Sequence, residues 1–214
     1  MKKDLIVFIA HIDDFECACY GYVFKHHKEY DKIKIVTATT WAKKLPVWEE
    51  NLKLFPKEIL DKIKDINLDF SQRQLTTEFD NLKDKFYKII NFNKRFDILT
   101  HDEEDCHSDH TALAKAARGM YKYCNRFVTI YSPSSAHFNP NYFIGLDEDT
   151  YNLKKLTLDK YDIQKDQSYT KLGYYLQSEE HYNMGRAYLL ENFSHDDYKY
   201  YEAYKILKWL SNRA

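Results

Sequence analysis

Glycine and proline are scarce in this chain of 214 residues, 5 and 4 in number, which excludes a collagen-like or linker-dominated polymer. Cysteine is scarce as well. Cys17, Cys19, Cys106 and Cys124 are too few and too irregularly spaced for a disulfide framework, so reduced, buried thiols are expected. Charge of one sign is not in excess: 32 Lys plus Arg stand against 33 Asp plus Glu, a formal net charge of −1. No global positive field is available to hold a polyanion, which argues against nucleic acid as a partner. The longest apolar run near the start, Leu5 to Ala10, spans six residues and meets His11, Asp13 and Asp14 at once. That is too short for a membrane span or a secretory h-region, so a cytoplasmic protein beginning at Met1 is expected. What is present is an apolar share of 44% and an aromatic share of 16%, enough for one hydrophobic core in a single domain over 1–214.

Two β-branched runs, Leu5 to Ala10 and Ile33 to Ala38, read as strands buried on both faces, with a crossover helix from about Ala18 to Tyr30 between them. Trp48, Leu52, Phe55, Ile59 and Ile63 fall at helical spacing, and Pro56 kinks or restarts that helix. Ile66, Leu68 and Phe70 alternate as in a short strand. Phe79, Leu82, Phe86, Ile89 and Ile90 line one helix face, and Phe96 to Thr100 is another buried strand. Leu113, Ala116, Ala117, Met120 and Tyr121 mark a further helix, followed by a strand from Phe127 to Tyr131. Near the C-terminus, Tyr200, Ala203, Tyr204, Leu207 and Leu210 recur at helical spacing. The alternation predicts an α/β fold, a Rossmann-like three-layer sandwich with a mainly parallel central sheet.

Two segments carry chemistry, each just past the C-terminal end of a predicted parallel strand, where open α/β sheets place ligands. They are Ala10-His11-Ile12-Asp13-Asp14-Phe15-Glu16 and the run His101 to His110. A catalytic zinc takes three nitrogen or oxygen ligands and keeps one position open. His11 and Asp14 sit three apart on a turn entering a helix, and His107 and His110 repeat that spacing; neighbouring strands would bring both to one crevice. The bland reading is helix capping by Asp13 or Asp14 and by Ser108 or Asp109. Two such clusters in a chain with nine histidines favour the functional reading.

The first segment resembles the Ala-His-Pro-Asp-Asp signature of the PIG-L, or LmbE-like, zinc-dependent N-deacetylases, and His107-Ser108-Asp109-His110 resembles their His-Pro-Asp-His. Asn139-Pro140-Asn141 is similar to the segment before a late strand of that family, and Lys154 to Gln164 to the helix after it. The resemblance implies that His11, Asp14 and His110 bind Zn2+ or another divalent metal, that Asp13 is general base, and that His107 and Asp109 form a catalytic supporting pair. It implies a hydrolase removing an N-acetyl group from an amino sugar or sugar conjugate, with homo-oligomerisation left open. The residue chemistry agrees: two adjacent carboxylates on one turn cannot both face one ion, so one is free to take a proton. A cationic His107 oriented by Asp109 would then meet negative charge on the carbonyl oxygen.

Ile12 and Ser108 replace prolines of the pattern, a loss of loop rigidity, and Tyr20 stands where glycine is usual, with consequences for pocket shape. Lys43, Lys44 and Arg73 are the candidates for a cation that contacts substrate. One acidic member of the 101–105 run is suited to bond a ligand imidazole; the other reading of that run is a solvated acidic loop. His26-His27-Lys28 reads as a solvated helix end. The rival functions are a non-catalytic metal- or sugar-binding module of the same fold, a Cys/His metal site, and a nucleotide-binding turn. The last lacks a glycine-rich pattern and carries acids where phosphates would sit.

Overall fold

The computed structural model describes residues 3–161, 198 and 200–210. Strand β1 (Lys3–Ile9) is buried along nearly its whole length because alternate residues serve two cores: Leu5, Val7 and Ile9 face one, Ile6, Phe8 and Ala10 the other. The chain continues through α1 (Asp14–Ala18), α2 (Tyr20–His26), β2 (Tyr30–Thr39), α3 (Leu45–Leu52), α4 (Lys57–Leu60) and β3 (Ile63–Phe70). Then come α5 (Phe79–Ile89), β4 (Phe96–His101), α6 (Ser108–Arg118), β5 (Arg126–Ile130), β6 (Tyr142–Leu146), α7 (Glu148–Asp159) and β7 (Tyr200–Trp209). The seven strands form one sheet in the order β3-β2-β1-β4-β5-β7-β6. The first five are mutually parallel, and β7 runs antiparallel to both β5 and β6. This is the expected α/β architecture with a mainly parallel sheet.

The strand order reverses between β1 and β4, so connections leave these neighbours in opposite directions and open a crevice at their C-terminal ends. Asp13 and His107 stand at the N-terminal ends of α1 and α6, the helices that follow β1 and β4.

Several expectations are corrected. The 200–210 segment is a strand, not a helix: Tyr200, Tyr204 and Ile206 pack on one core and Leu207 on the other. The aromatic and β-branched side chains there suit a strand bonded on both edges, and the helical spacing was coincidental. Ile63 opens β3 rather than ending a helix, since Pro56 does break α3 from α4. The first crossover is two short helices, and a 3-10 turn at His27–Glu29 leads into β2 three residues earlier than expected. His26 and His27 are buried, not solvated: His26 bonds Glu29 and Tyr142, and His27 Nδ1 meets the Phe24 carbonyl at 2.7 Å. Cys17, Cys19, Cys106 and Cys124 are all unpaired, but Cys106 is exposed. The late helix begins at Glu148, and Gln164 lies outside the described residues. Among the described residues no helix is long and apolar enough to cross a membrane.

Candidate metal centre

His11 and Asp14 leave β1 on a tight turn whose carbonyl at Ala10 is fixed by the Thr39 amide and hydroxyl, at 2.9 and 2.8 Å. Asp14 Oδ2 reaches back to accept the His11 amide at 2.7 Å, which locks carboxylate and imidazole into one unit. His110, one turn into α6, comes to the same place from β4. His11 Nδ1, Asp14 Oδ2 and His110 Nε2 then form a triangle with sides of 3.2, 3.3 and 3.4 Å. A tetrahedral ion with bonds of about 2.0–2.1 Å holds its ligands about 3.3–3.4 Å apart. The donor set therefore fits a divalent ion in spacing and in chemistry.

Each imidazole of the triangle is backed by a carboxylate. His11 Nε2 faces Asp109 Oδ2 at 3.4 Å, and His110 Nδ1 meets Asp105 Oδ2 at 3.1 Å. Both carboxylates claim the far ring nitrogen, leaving His11 Nδ1 and His110 Nε2 as lone pairs toward the centre. Asp109 also accepts the amides of Arg73 at 2.6 Å and Leu75 at 3.3 Å, so it pins the loop between β3 and α5. Arg73 holds φ of 63° there, a left-handed conformation unusual for a side chain of its size. Asp105 takes hydroxyls from Ser132, Ser134 and Ser135, the segment after β5, and the His107 amide at 2.8 Å. Asp105 is the member of the acidic run that bonds the His110 imidazole.

The electrostatics follow from this packing. Burial alone would lower the His11 and His110 pKa values, but Asp14 with Asp109, and Asp14 with Asp105, raise them to about 10 and about 9. Asp14 is held well below the usual carboxylate range: burial opposes this, and His110, His101 and His11 overcome it. A bound cation would replace those protons.

The bland capping reading does not hold. Asp13 stands at the α1 N-cap without a side-chain cap bond, and the α6 cap is His107, whose Nδ1 accepts the Asp109 amide at 3.2 Å. That bond corrects the expected His107–Asp109 pair: the Asp109 carboxylate serves His11, not His107. Burial, with His110 and His11 close by, lowers the His107 pKa, and an Nδ1 that accepts an amide carries no proton of its own; both work against the cationic imidazole expected. Asp13 is fixed elsewhere, by Lys44 Nζ at 2.5 Å from Oδ2, while its Oδ1 is buried without a partner among the described residues. Lys43 and the Arg73 side chain are exposed. Tyr20 does not shape the site; it is buried against Phe24 and Phe55 in the core.

His101 was not singled out from sequence. It is fully buried at the end of β4, its ring stacked on His110 with centroids 3.8 Å apart. Two further groupings of donors lie within 4.8 Å, one of His11, His107 and His110 and one of Asp14, His101 and His110. His101 Nε2 lies 3.2 Å from the Ala10 amide and 3.1 Å from Asp14 Oδ2, and burial beside His110 pushes its pKa down to about 4. Its position directly after the strand expected over Phe96 to Thr100 was the available signal. No described cysteine belongs to these groupings, which leaves the Cys/His alternative without support.

The chain is similar in fold to GalB, the 4-carboxy-2-hydroxymuconate hydratase of Pseudomonas putida KT2440, with TM-score 0.63 and 14% identity over 100% of both chains. It is also similar to N,N'-diacetylchitobiose deacetylase of Pyrococcus horikoshii, TM-score 0.64 and 16% identity, covering 96% of this chain and 84% of that one. The zinc-inhibited form of teicoplanin deacetylase Orf2 matches with TM-score 0.61 and 12% identity over 99% and 100% of the two chains. At these identities the likeness shows the fold alone. A sequence search of curated proteins found no match. Residues 6–121 match the PIG-L family, described as GlcNAc-PI de-N-acetylase, a stretch that holds both motifs and the whole donor triangle, and the chain belongs to that family.

Proposed function

We propose that this protein is a metal-dependent N-deacetylase acting on an N-acetylated amino sugar or sugar conjugate. Membership of a de-N-acetylase family supports the deacetylase-type chemistry. The observation that carries the site is the His11, Asp14, His110 triangle with sides of 3.2–3.4 Å and a second carboxylate, Asp13, beside it. These three residues would hold zinc or another divalent ion. When bound, such an ion supplies Lewis-acid chemistry and lowers the pKa of a coordinated water to about 7.

The protein's own groups do the rest. Asp13 Oδ1, its unpartnered oxygen, takes a proton as water attacks the amide carbonyl and returns it to the departing amine. His107 is fixed in one tautomer because Nδ1 accepts the Asp109 amide, so Nε2 carries the hydrogen. A neutral donor of this kind stabilises negative charge on the carbonyl oxygen as it develops. Asp109 and Asp105 keep the two ligand imidazoles in register.

Metal analysis of the purified protein, with turnover of a panel of N-acetylhexosamines before and after chelation, tests the reading. Acetate release that chelation abolishes and metal restores is expected. Metal or sugar binding without acetate release would favour the non-catalytic module instead.

A further inference from the structure

Lys44 has no part in the chemistry above, yet its placement is that of a functional group. Lysine is seldom fully buried unless paired, and Lys44 is only 8% exposed. Among the described residues its one ion-pair partner is Asp13, 2.5 Å away at Oδ2. The Trp41 and Tyr161 rings flank the ammonium at 5.3 and 6.0 Å, within reach of cation–π attraction.

The backbone beneath it is equally fixed. The Lys44 amide closes a turn onto the Trp41 carbonyl at 2.8 Å, and the Lys44 carbonyl accepts the Trp48 amide at 3.0 Å as α3 begins. Trp48 is fully buried and donates to Asp65 at 3.0 Å, so this loop is anchored to β3. A rigid element from the β2–α3 connection thus delivers one cation to one oxygen of the free carboxylate in the site. The other oxygen, Oδ1, is buried and has no partner among the described residues.

We propose that Lys44 is the positioning residue for Asp13: by clamping Oδ2 it sets the carboxylate's orientation and leaves Oδ1 as the single proton acceptor. The inference rests on the reading of Asp13 as general base. It assigns Lys44 a role in kcat rather than in substrate affinity, distinct from the substrate-contacting cation considered from sequence. A carboxylate without the clamp rotates about its Cβ–Cγ bond and presents either oxygen. Misplacement of a reacting group by about 1 Å is enough to cost about a hundredfold in rate.

The test compares Lys44→Met, Lys44→Arg and the double variant Asp13→Asn/Lys44→Met with the metal-loaded wild type. Lys44→Met is expected to lower kcat by about 10–100-fold, with KM within about threefold and metal affinity unchanged, while Tm falls because Asp13 loses its partner. Lys44→Arg restores a large part of kcat, because a guanidinium also holds one carboxylate oxygen. In the Asp13→Asn background, Lys44→Met has no further effect, which a merely structural role would not reproduce. A rise in KM at constant kcat, unchanged turnover, or additive losses in the double variant would each overturn the inference. Should Lys44→Met fold poorly, Lys44→Gln and Lys44→Arg carry the same comparison. A wild type that binds metal but hydrolyses no N-acetyl substrate defeats the parent reading and this one together, whereas an active wild type with an unaffected Lys44→Met defeats Lys44 alone.

Discussion

Single side chains in the site are separable by what they touch. Asp105 meets no substrate in this account; it binds the far nitrogen of His110 and is itself held by Ser132 and Ser134. Asp105→Asn is therefore expected to weaken zinc affinity by about 10–100-fold, read by competition with a chromophoric chelator. Unchanged affinity would show that His110 needs no backing. Asp13→Asn should behave in the opposite way, keeping the metal and losing about 10²–10⁴ in kcat. The two measurements divide ligand support from proton transfer. At this scale the gathering of His11, Asp13, Asp14, His107, Asp109 and His110 at one crevice was legible in the sequence, because each belongs to one of two short motifs; the roles given to them are proposals. The pairing of Asp109 with His11 was not legible, since it joins side chains 98 positions apart and depends on how α6 meets the β1 turn. Lys44 was visible as a cation but not as the partner of Asp13.

Elements are joined by buried polar links that hydrophobic periodicity does not reveal. Glu202 of β7 accepts the Gly21 amide at 2.8 Å and pairs with Lys154 of α7, tying the start of α2 to the far half of the sheet. A Cβ at Gly21 would lie 2.7 Å from Leu146 Cδ2 and 3.0 Å from Glu202 Oε2, so no side chain fits without movement. Gly21→Ala is expected to cost about 1–3 kcal/mol, measurable by denaturant titration; a neutral result would mean that β6 and β7 yield easily. Glu16 of α1 is fully buried, and burial pushes its pKa from 4.5 up to about 8, against hydrogen bonds from Asn51 and Tyr161. The folded state thus holds this proton more tightly than the unfolded chain. Its contribution is complete below about pH 4.5 and fades as pH rises through about 8. Glu16→Gln should remove that loss, so its Tm relative to wild type rises between about pH 5 and pH 8 and levels off above, each kcal/mol appearing as about 2–4 °C. An advantage independent of pH would contradict a protonated Glu16. The same scale explains the missed strand β7: its periodicity was ambiguous in ten residues, and only pairing with β5 and β6 decided it.

For the molecule as a whole, the decisive fact is that β1 and β4 are neighbours at the point where the sheet order reverses. The βαβ rhythm of the sequence implied a parallel sheet, but not which strands adjoin, because adjacency is set by packing across residues distant in the chain. Once they adjoin, two motifs separated by about ninety residues face one crevice, and their donors take up the spacing of a metal's ligands. A crystal of the protein soaked in zinc, with anomalous data collected on both sides of the zinc edge, tests this most directly. A strong peak is expected about 2.0–2.2 Å from His11 Nδ1, Asp14 Oδ2 and His110 Nε2 together. Zinc absent from this triangle, or bound only at other side chains, would contradict it.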